Sequence, residues 1–442
     1  MKWFFCATLI FWVAGMARAA EPNWPEVEQH AVELLQQYVR IVSVNPPSDT
    51  SQTARLIQRE LASAGIQAIL YQSGSGGKTN LIARLPGRDR TKRPLLLLNH
   101  MDVVPVDAAR WKEKPFGAEI KNGILWGRGS LDMKSTGIMQ LTGFILLKQL
   151  GIVPDRDVVF VSTCDEETGG ISGAEWMIQN HWTEMNPEYV LDEGGVGSRD
   201  AYTPGKLVFG VSVADKQVLW LKLRATGISG HGSQPNPDNP NDILINAIAK
   251  AKEFPPSSKP NPIVTEMRDA VTTFASNKFM NAISRNTMSV TSLRSGVGDP
   301  PKANVIPSLA EATLDCRLLP GQNAEEFISE IKARINDPRV TVEQISRDPD
   351  DPKPSSIDTP LYRVIIESIR KESPDATVMP IVVPFGTDAS KFRVRGVSAY
   401  GIMPMIIDTA TLATMHSDSE HIPLDQFKRG LRIYFDILRS DW

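Results

Sequence analysis

Two residues that could do chemistry follow a run of leucines. Leucines 95–98 lead directly to His100 and Asp102. An unbroken apolar run predicts a parallel strand that is covered on both faces. In open α/β sheets, ligands bind beyond the carboxyl ends of the strands, so His100 and Asp102 are expected at a site. Because the two residues are two positions apart, an extended backbone places both side chains on one face.

Further acidic side chains are expected at the same edge of this sheet, since they follow other strand-like segments or lie at the start of a helix. These residues are Asp132, Glu166, Glu167, Asp192 and Glu193. So many carboxylates cannot all stay ionised side by side unless cations neutralise them. The pattern therefore predicts a metal centre.

Imidazole together with carboxylate suits zinc, or a similar divalent transition metal, better than calcium or magnesium. A carboxylate between two ions can bridge them, and paired ions about 3.5–4 Å apart activate water and polarise a carbonyl in hydrolases. Each residue also has a structural explanation of its own. His100 could end a strand, Asp132 could cap a helix, and Glu166 and Glu167 could form a solvated turn.

The elements that must position these residues follow a regular order. Helical patterns alternate with short apolar strands over residues 24–191, which indicates a mostly parallel α/β sheet flanked by helices. From about Val211 the strands alternate apolar and polar residues, and fully apolar strands appear again after Pro354. The sequence therefore predicts an inserted α+β sandwich. The predicted divisions are a signal peptide at 1–20, a large domain formed by 21–211 and 351–442, and an inserted domain at 212–350.

The first residues resemble a secretory signal. Lys2 precedes an apolar stretch from Trp3 to about Ala14, and a small-residue exit follows at Ala17 and Ala19. The alternative is an uncleaved anchor, but the apolar run is shorter than the ~20 residues that a bilayer span needs. We expect an exported protein, periplasmic or secreted, with no stable membrane span in the mature chain.

Composition limits the partners. The chain has 442 residues, which favours two domains, and its 48 Lys plus Arg nearly balance 51 Asp plus Glu. The net charge of the chain therefore does not favour binding to nucleic acid or to an anionic membrane surface. Cys164 and Cys316 lie in apolar, strand-like runs, so they are expected either to pair or to remain two buried thiols.

Seven motifs resemble the di-zinc exopeptidase and deacylase family, which includes aminoacylase-1, carboxypeptidase S, glutamate carboxypeptidase, acetylornithine deacetylase and succinyl-diaminopimelate desuccinylase. In chain order they are HMDVVP, GRGSLDMK, DEETGG, SGHGSQP, NVIP, DCRLLPG and FGTDA. The match covers nearly all of the mature chain. It implies a zinc-exopeptidase-like catalytic domain, an inserted domain for dimerisation or for covering the site, and two Zn²⁺, with cobalt or manganese as alternatives.

The resemblance also implies a role for individual residues. The implied metal ligands are His100, Asp132, Glu167, Glu193 and His416, with Asp132 as the bridge. Glu166 would be the general base, and Asp102 would orient the ring of His100. Two of the ligand assignments have an alternative. Asp192 could replace Glu193 as the ligand, and His421 could replace His416.

Substrate contacts are implied in both domains. In the inserted domain, His231 would reach the site of a neighbouring subunit, and Asn304 and Arg317 would bind the substrate carboxylate. In the large domain, a loop formed by Gly386, Thr387 and Asp388 would contact the substrate. The implied assembly is a homodimer through the inserted domain.

The expected function is hydrolysis of an amide bond next to a free carboxylate, in small peptides or N-acyl amino acids. The alternative is a peptide-binding homologue that has lost turnover. Retention of Glu166 argues against it, because binding alone needs no general base. Ser135 stands where relatives usually have Gly. This difference removes no metal ligand, but it weakens any transfer of a relative's substrate specificity to this chain.

Overall fold

The computed structural model describes residues 21–253, 261–347 and 353–442. The predicted signal peptide, residues 1–20, lies outside the described residues. The first part of the chain alternates helices and strands. Its elements are α1 (Trp24–Arg40), α2 (Ser51–Ser63), β1 (Ala68–Gln72), β2 (Thr79–Leu85), β3 (Leu95–His100), β4 (Glu119–Lys121), β5 (Ile124–Trp126), α3 (Lys134–Gln149), β6 (Val158–Thr163), the 3-10 turn Glu166–Thr168, α4 (Ala174–Met185), β7 (Tyr189–Ser198) and β8 (Val208–Asp215).

The middle of the chain contains shorter helices and longer amphipathic strands. Its elements are β9 (Gln217–Thr226), β10 (Gly230–His231), α5 (Pro240–Lys252), α6 (Pro262–Ala270), α7 (Lys278–Ser284), β11 (Thr287–Ser295), β12 (Val305–Ile306), β13 (Leu309–Leu318), α8 (Ala324–Ile335) and β14 (Val340–Arg347). The last part again alternates helices with strands, as the first part does. Its elements are α9 (Pro360–Glu372), β15 (Thr377–Val383), α10 (Ala389–Arg393), β16 (Ser398–Ile406), α11 (Thr409–Leu412), β17 (His421–Pro423) and α12 (Leu424–Arg439).

Eight strands form the large sheet, in the order β1-β2-β6-β3-β7-β16-β8-β15. At its centre, β3 runs parallel to both β6 and β7, and β16 runs parallel to β7. The predicted mostly parallel sheet flanked by helices, with an inserted domain, is confirmed. Since β3, β6 and β7 are parallel neighbours, their carboxyl ends open at one edge of the sheet.

The four leucines of β3 serve both faces of this sheet. Leu95 and Leu97 belong to the core that includes residues of α3 and α12, whereas Leu96 and Leu98 belong to the core on the side of α4 and α10. All four side chains are buried. This two-sided burial is the physical reason for the absence of polar residues before His100.

A second, antiparallel sheet has the order β11-β13-β9-β14. Buried residues alternate along β13, and they pack with α5 and α8 in a core of their own. Two features extend the large domain into the segment predicted as inserted. The predicted boundary after residue 211 falls inside β8, and α6 and α7 pack against β15 of the large sheet. Their apolar faces, including Ile263 and Ile283, complete the large core.

Cys164 and Cys316 are both buried and free, which matches the alternative of two thiols. Cys316 belongs to the core of the small sheet, whereas Cys164 follows β6 of the large sheet. Among the described residues, the helices are too short or too polar to cross a bilayer.

Candidate metal centre and active site

His100 ends β3 and is buried among acceptors. Its Nε2 atom lies 3.1 Å from Oδ1 of Asp132 and 3.5 Å from Oε1 of Glu193. Its Nδ1 atom lies 3.0 Å from the main-chain oxygen of Asp102 and 3.6 Å from the carboxylate of the same residue. Burial opposes a charge on the ring, but the contacts with the three acids raise the pKa of His100 well above its usual value.

The second histidine comes from the far end of the chain. His416 has a positive φ of 61°, and its Nε2 atom lies 2.9 Å from Oδ2 of Asp132 and 3.5 Å from Oε2 of Glu167. The competing candidate, His421, lies on β17, where its ring packs against Trp126 at a centroid distance of 4.3 Å. The late histidine at the centre is therefore His416.

Asp132 lies between the two histidines. One carboxylate oxygen faces His100 and the other faces His416. Burial raises the pKa of Asp132, but the two imidazoles outweigh it and lower the pKa below its usual value. A carboxylate whose two oxygens face two separate ligands has the geometry of a metal bridge.

The donor atoms fit two cations. His100 groups with Glu166 and Glu193, and it groups again with Asp132 and Glu167, the atoms of each group lying within 4.8 Å of one another. Oε1 of Glu167 is buried without a hydrogen-bond partner in the described part of the chain. Burial is the main reason why the pKa values of Glu166, Glu167 and Glu193 are raised. Cations would satisfy the unpaired oxygen and keep these carboxylates ionised.

The two candidates at the end of β7 point to different partners. Oδ2 of Asp192 accepts a hydrogen bond from the main-chain nitrogen of Ala389 at 2.8 Å. Burial, and next the charge of Asp388, raise the pKa of Asp192 to about 7. Glu193, in contrast, faces His100, so Glu193 belongs to the donor set.

Asp102 links the two halves of the site. Besides facing His100, its carboxylate accepts hydrogen bonds from the main-chain nitrogens of Glu166, at 3.3 Å, and Glu167, at 3.2 Å. The amide of Asn45 donates to the same carboxylate at 2.8 Å. Asp102, which is fully buried, therefore fixes both the imidazole and the turn that carries Glu166.

Two residues that the sequence reasoning missed hold the Asp132 loop. Glu420 accepts hydrogen bonds from the main-chain nitrogens of Gly129, Leu131 and Asp132 at 2.9–3.1 Å. It also forms a buried ion pair with Arg128. The sequence signal for this contact is a glutamate four residues after His416.

A cavity of about 390 Å³ opens next to Glu166. Its lining residues come from α4, from the start of β9 and from the segment around α10. They are Glu166, Gly169, Glu175, Ile178, Gln179, Asp215, Lys216, Gln217, Val218, Gly386, Thr387, Ser390, Lys391, Val394 and Arg395. Asp388 is buried behind this lining, where its carboxylate accepts a hydrogen bond from Thr163 and contacts Lys391.

The predicted contacts of the small domain lie apart from this cavity. His231 is exposed, and its Nδ1 atom accepts a hydrogen bond from the hydroxyl of Ser233 at 2.8 Å. Asn304 is exposed too, and its main-chain oxygen accepts from Gly232 at 2.8 Å. Arg317 forms two hydrogen bonds with Asp315. In the described chain, these three predicted residues neither line the cavity nor join the metal centre.

Comparisons with known proteins agree with this geometry. The family model described as peptidase family M20/M25/M40 matches residues 96–440. A Dictyostelium discoideum protein named probable carboxypeptidase S-like 2 is 27% identical over 395 residues, which cover 82% of this chain and 74% of that protein. Aminoacylase-1 of Sus scrofa is 26% identical over 419 residues, which cover 94% of this chain and 96% of that protein.

A comparison of folds finds a member of the same family. A crystal structure of the M20 family metallo-carboxypeptidase Sso-CP2 from Sulfolobus solfataricus superposes with a TM-score of 0.67 at 18% identity, covering 92% of this chain and 98% of that one. The family match spans every residue of the metal centre, from His100 to Glu420. This chain therefore belongs to peptidase family M20/M25/M40 and is a metal-dependent hydrolase of carbon–nitrogen bonds.

Proposed function

We propose that this chain is a dinuclear metallohydrolase that cleaves the amide bond next to a free carboxylate in small peptides or N-acyl amino acids. The observation that carries the proposal is the position of Asp132 between His100 and His416, with Glu166 between this centre and the cavity. Zinc is the proposed metal, because two imidazoles and three carboxylates form its preferred donor set.

The metals would be held by His100, Asp132, Glu167, Glu193 and His416. When bound, they would lower the pKa of water and polarise the substrate carbonyl. Glu166 takes the proton from the attacking water and delivers it to the leaving nitrogen. Asp102 holds Glu166 in place for both transfers, through the main-chain hydrogen bond at 3.3 Å.

The substrate would bind between the two domains. Its group on the acyl side would enter the cavity beside Glu166. Its free carboxylate would be held by Arg317 and Asn304, since a guanidinium group forms paired hydrogen bonds with a carboxylate. We propose that the small domains form a homodimer and that His231 stabilises the oxyanion at the partner's site.

Amine release from a panel of dipeptides and N-acyl amino acids tests the activity. The enzyme is loaded separately with zinc, cobalt or manganese, and its metal content is measured before each assay. We expect release from substrates that carry a free carboxylate, and little release from their C-terminal amides. Equal release from the amides would contradict the proposed carboxylate contact, and no release from any panel member would favour a binding protein.

Complementation tests the shared site. A Glu166→Ala variant and a His231→Ala variant, each nearly inactive alone, are unfolded, mixed and refolded together. If His231 acts at the partner's site, mixed dimers contain one intact site and part of the activity returns. If it acts within its own chain, each mixed dimer contains two damaged sites and no activity returns.

We also propose export, on the pattern of Lys2, the apolar stretch and the small residues Ala17 and Ala19. N-terminal sequencing of protein from a bacterial periplasm or medium tests this. A new terminus at residue 20 or 21 would support the proposal, and an intact N-terminus in the membrane fraction would contradict it.

A further inference from the structure

Gln217 occupies an unusual position at the junction of the two domains. It is the first residue of β9, two positions after the last residue of β8. Its side chain lines the cavity that also contains Glu166. Only 6% of the residue is exposed, although a glutamine usually lies at the surface.

The side-chain oxygen of Gln217 has no hydrogen-bond partner among the described residues. A buried amide oxygen without a donor costs free energy, so natural proteins supply a partner or use the atom for a ligand. Glu167 provides the comparison, because its unpaired oxygen lies in the donor set for a metal.

The neighbours of Gln217 at the junction are fully used by the fold. Asp215 accepts two hydrogen bonds from Thr387 and forms an ion pair with Arg393. The ammonium of Lys216 donates to three acceptors in residues 282–287 at 2.7–2.9 Å. These contacts tie the junction to both domains, whereas the side-chain oxygen of Gln217 has no partner in the described fold.

Several other polar side chains of the cavity also have partners within the described fold. Gln179 donates to Glu175, and Ser390 donates to the main-chain oxygen of Thr387. Lys391 contacts Asp388, and Arg395 lies over the ring of Trp182. Among the described lining side chains, the buried polar atom without a partner is therefore an acceptor, the oxygen of Gln217.

The cavity places apolar side chains beside this acceptor, and the combination favours a particular kind of ligand. Ile178, Val218 and Val394 also line the cavity, so it suits an aliphatic group that carries one N–H or O–H donor. A purely hydrocarbon group would leave the buried amide oxygen of Gln217 unpaired. A group with a nitrogen donor would satisfy it.

We propose that Gln217 is a specificity-determining residue that accepts a hydrogen bond from a nitrogen on the acyl side of the substrate. The preferred substrates are then peptides, whose acyl part is an amino acid, ahead of amino acids acylated with a plain hydrocarbon chain. This inference rests on the proposed function, because hydrolysis at Glu166 places the acyl side in the cavity.

Three substrates with the same leaving amino acid test the inference. They are leucyl-alanine, its deaminated analogue 4-methylpentanoyl-alanine, and N-acetyl-leucyl-alanine, in which a peptide N–H replaces the ammonium group. For the metal-loaded wild type we expect kcat/KM for leucyl-alanine to exceed that for the deaminated analogue by at least about tenfold. Near-equal values would overturn the inference.

Two variants locate the effect at Gln217. Gln217→Met keeps the length of the side chain and removes the acceptor, so the ratio between the two substrates is expected to fall towards one. Gln217→Glu keeps an acceptor and adds a negative charge, so the preference for leucyl-alanine over N-acetyl-leucyl-alanine is expected to rise. The matched control, Gln149→Met, changes an exposed glutamine at the end of α3 and should leave every ratio unchanged. An unchanged ratio in both Gln217 variants would overturn the inference.

Binding measurements separate this inference from the proposed function. Dissociation constants for the same substrates are measured by calorimetry on metal-loaded Glu166→Gln, with and without Gln217→Met. Tighter binding of leucyl-alanine that disappears with Gln217→Met supports the inference even if no substrate is hydrolysed by the wild type. Hydrolysis by the wild type, with no effect of Gln217 on binding or on the kcat/KM ratio, supports the function and overturns the inference.

Discussion

Glu420 holds the main chain of Asp132, although 288 positions separate the two residues. The same carboxylate oxygen accepts from Gly129 and Leu131, and the other pairs with Arg128 in the interior. The position of Asp132 between two histidines is therefore supported by a residue whose hydrogen bonds go to the main chain of the Asp132 loop.

Removal of Glu420 is expected to destabilise the protein. Glu420→Ala leaves a buried guanidinium and three main-chain nitrogens without their acceptor. Because breaking a buried ion pair from one side costs about 3–5 kcal/mol, we expect a loss of that size in the free energy of unfolding, measured by urea denaturation. Glu420→Gln keeps an acceptor for the nitrogens and should lose less. Stability of Glu420→Ala within about 1 kcal/mol of wild type would contradict this role.

Metal loading is expected to release protons. Burial opposes the charge on His416, but Asp132 and Glu167 raise its pKa to about 10, and the pKa of His100 is raised as well. The raised pKa values favour the protonated form of both imidazoles in the metal-free protein, whereas a histidine ligand must be neutral. The apparent zinc affinity should rise with pH through the neutral range. Zinc calorimetry in two buffers of different ionisation enthalpy measures the protons, and identical heats in both would contradict this prediction.

Glu193 and Asp192 are expected to differ in their effect on metal content. Glu193→Gln removes a donor that lies 3.5 Å from Nε2 of His100, so we expect it to bind one metal fewer than wild type. Asp192→Asn loses an acceptor for the main-chain nitrogen of Ala389 and should keep the full metal content. Elemental analysis after dialysis gives the ratio of metal to protein. The reverse pattern would make Asp192 the ligand.

Asn45 is expected to act on catalysis through Asp102. Its amide lies within hydrogen-bond distance of Asp102, Asp165 and Thr168. Residues that hold a metal ligand in this indirect way typically change activity or metal affinity by about 10–100-fold. We expect Asn45→Ala to lower kcat in that range with little change in KM. The control is Asn180→Ala, which changes an exposed residue on α4. Equal kcat values in the two variants would contradict the proposed role of Asn45.

The two thiols are expected to be unreactive in the folded protein. Cys164 and Cys316 are fully buried, and burial raises the pKa of each to about 12. In protein that begins at residue 21, a thiol reagent should detect neither cysteine before denaturation and both afterwards, without reductant. No thiol after denaturation would reveal a disulfide instead.

Local sequence patterns were sufficient to predict the buried strand β3 and the edge of the sheet where it ends. The leucines of β3 predicted a strand buried on both faces, because each face must contact an apolar layer. The acids at the ends of β6 and β7 then predicted the edge of the sheet where a metal centre would lie. His416 required the resemblance to a family, since no local pattern connects a distant loop with β3.

The rest depends on tertiary contacts. The helix α6 was not among the elements expected from the sequence, and its amphipathic pattern does not specify which of the two cores it covers; in the structure it packs on β15. Gln217 begins a strand whose alternation is otherwise regular. That its side-chain oxygen lacks a partner is a property of the tertiary structure, which the alternation of the strand does not reveal.

The most direct test of the hydrolytic site is the turnover of metal-loaded Glu166→Gln on the best substrate of the panel, compared with wild type and with Glu33→Gln, which changes an exposed glutamate of α1. Metal content is matched among the three proteins. If Glu166 transfers the proton, kcat of Glu166→Gln falls by about 10²–10⁴-fold while Glu33→Gln retains wild-type turnover. A Glu166→Gln enzyme that keeps kcat within a few-fold of wild type, with both metals bound, would contradict the assignment of Glu166 as the base.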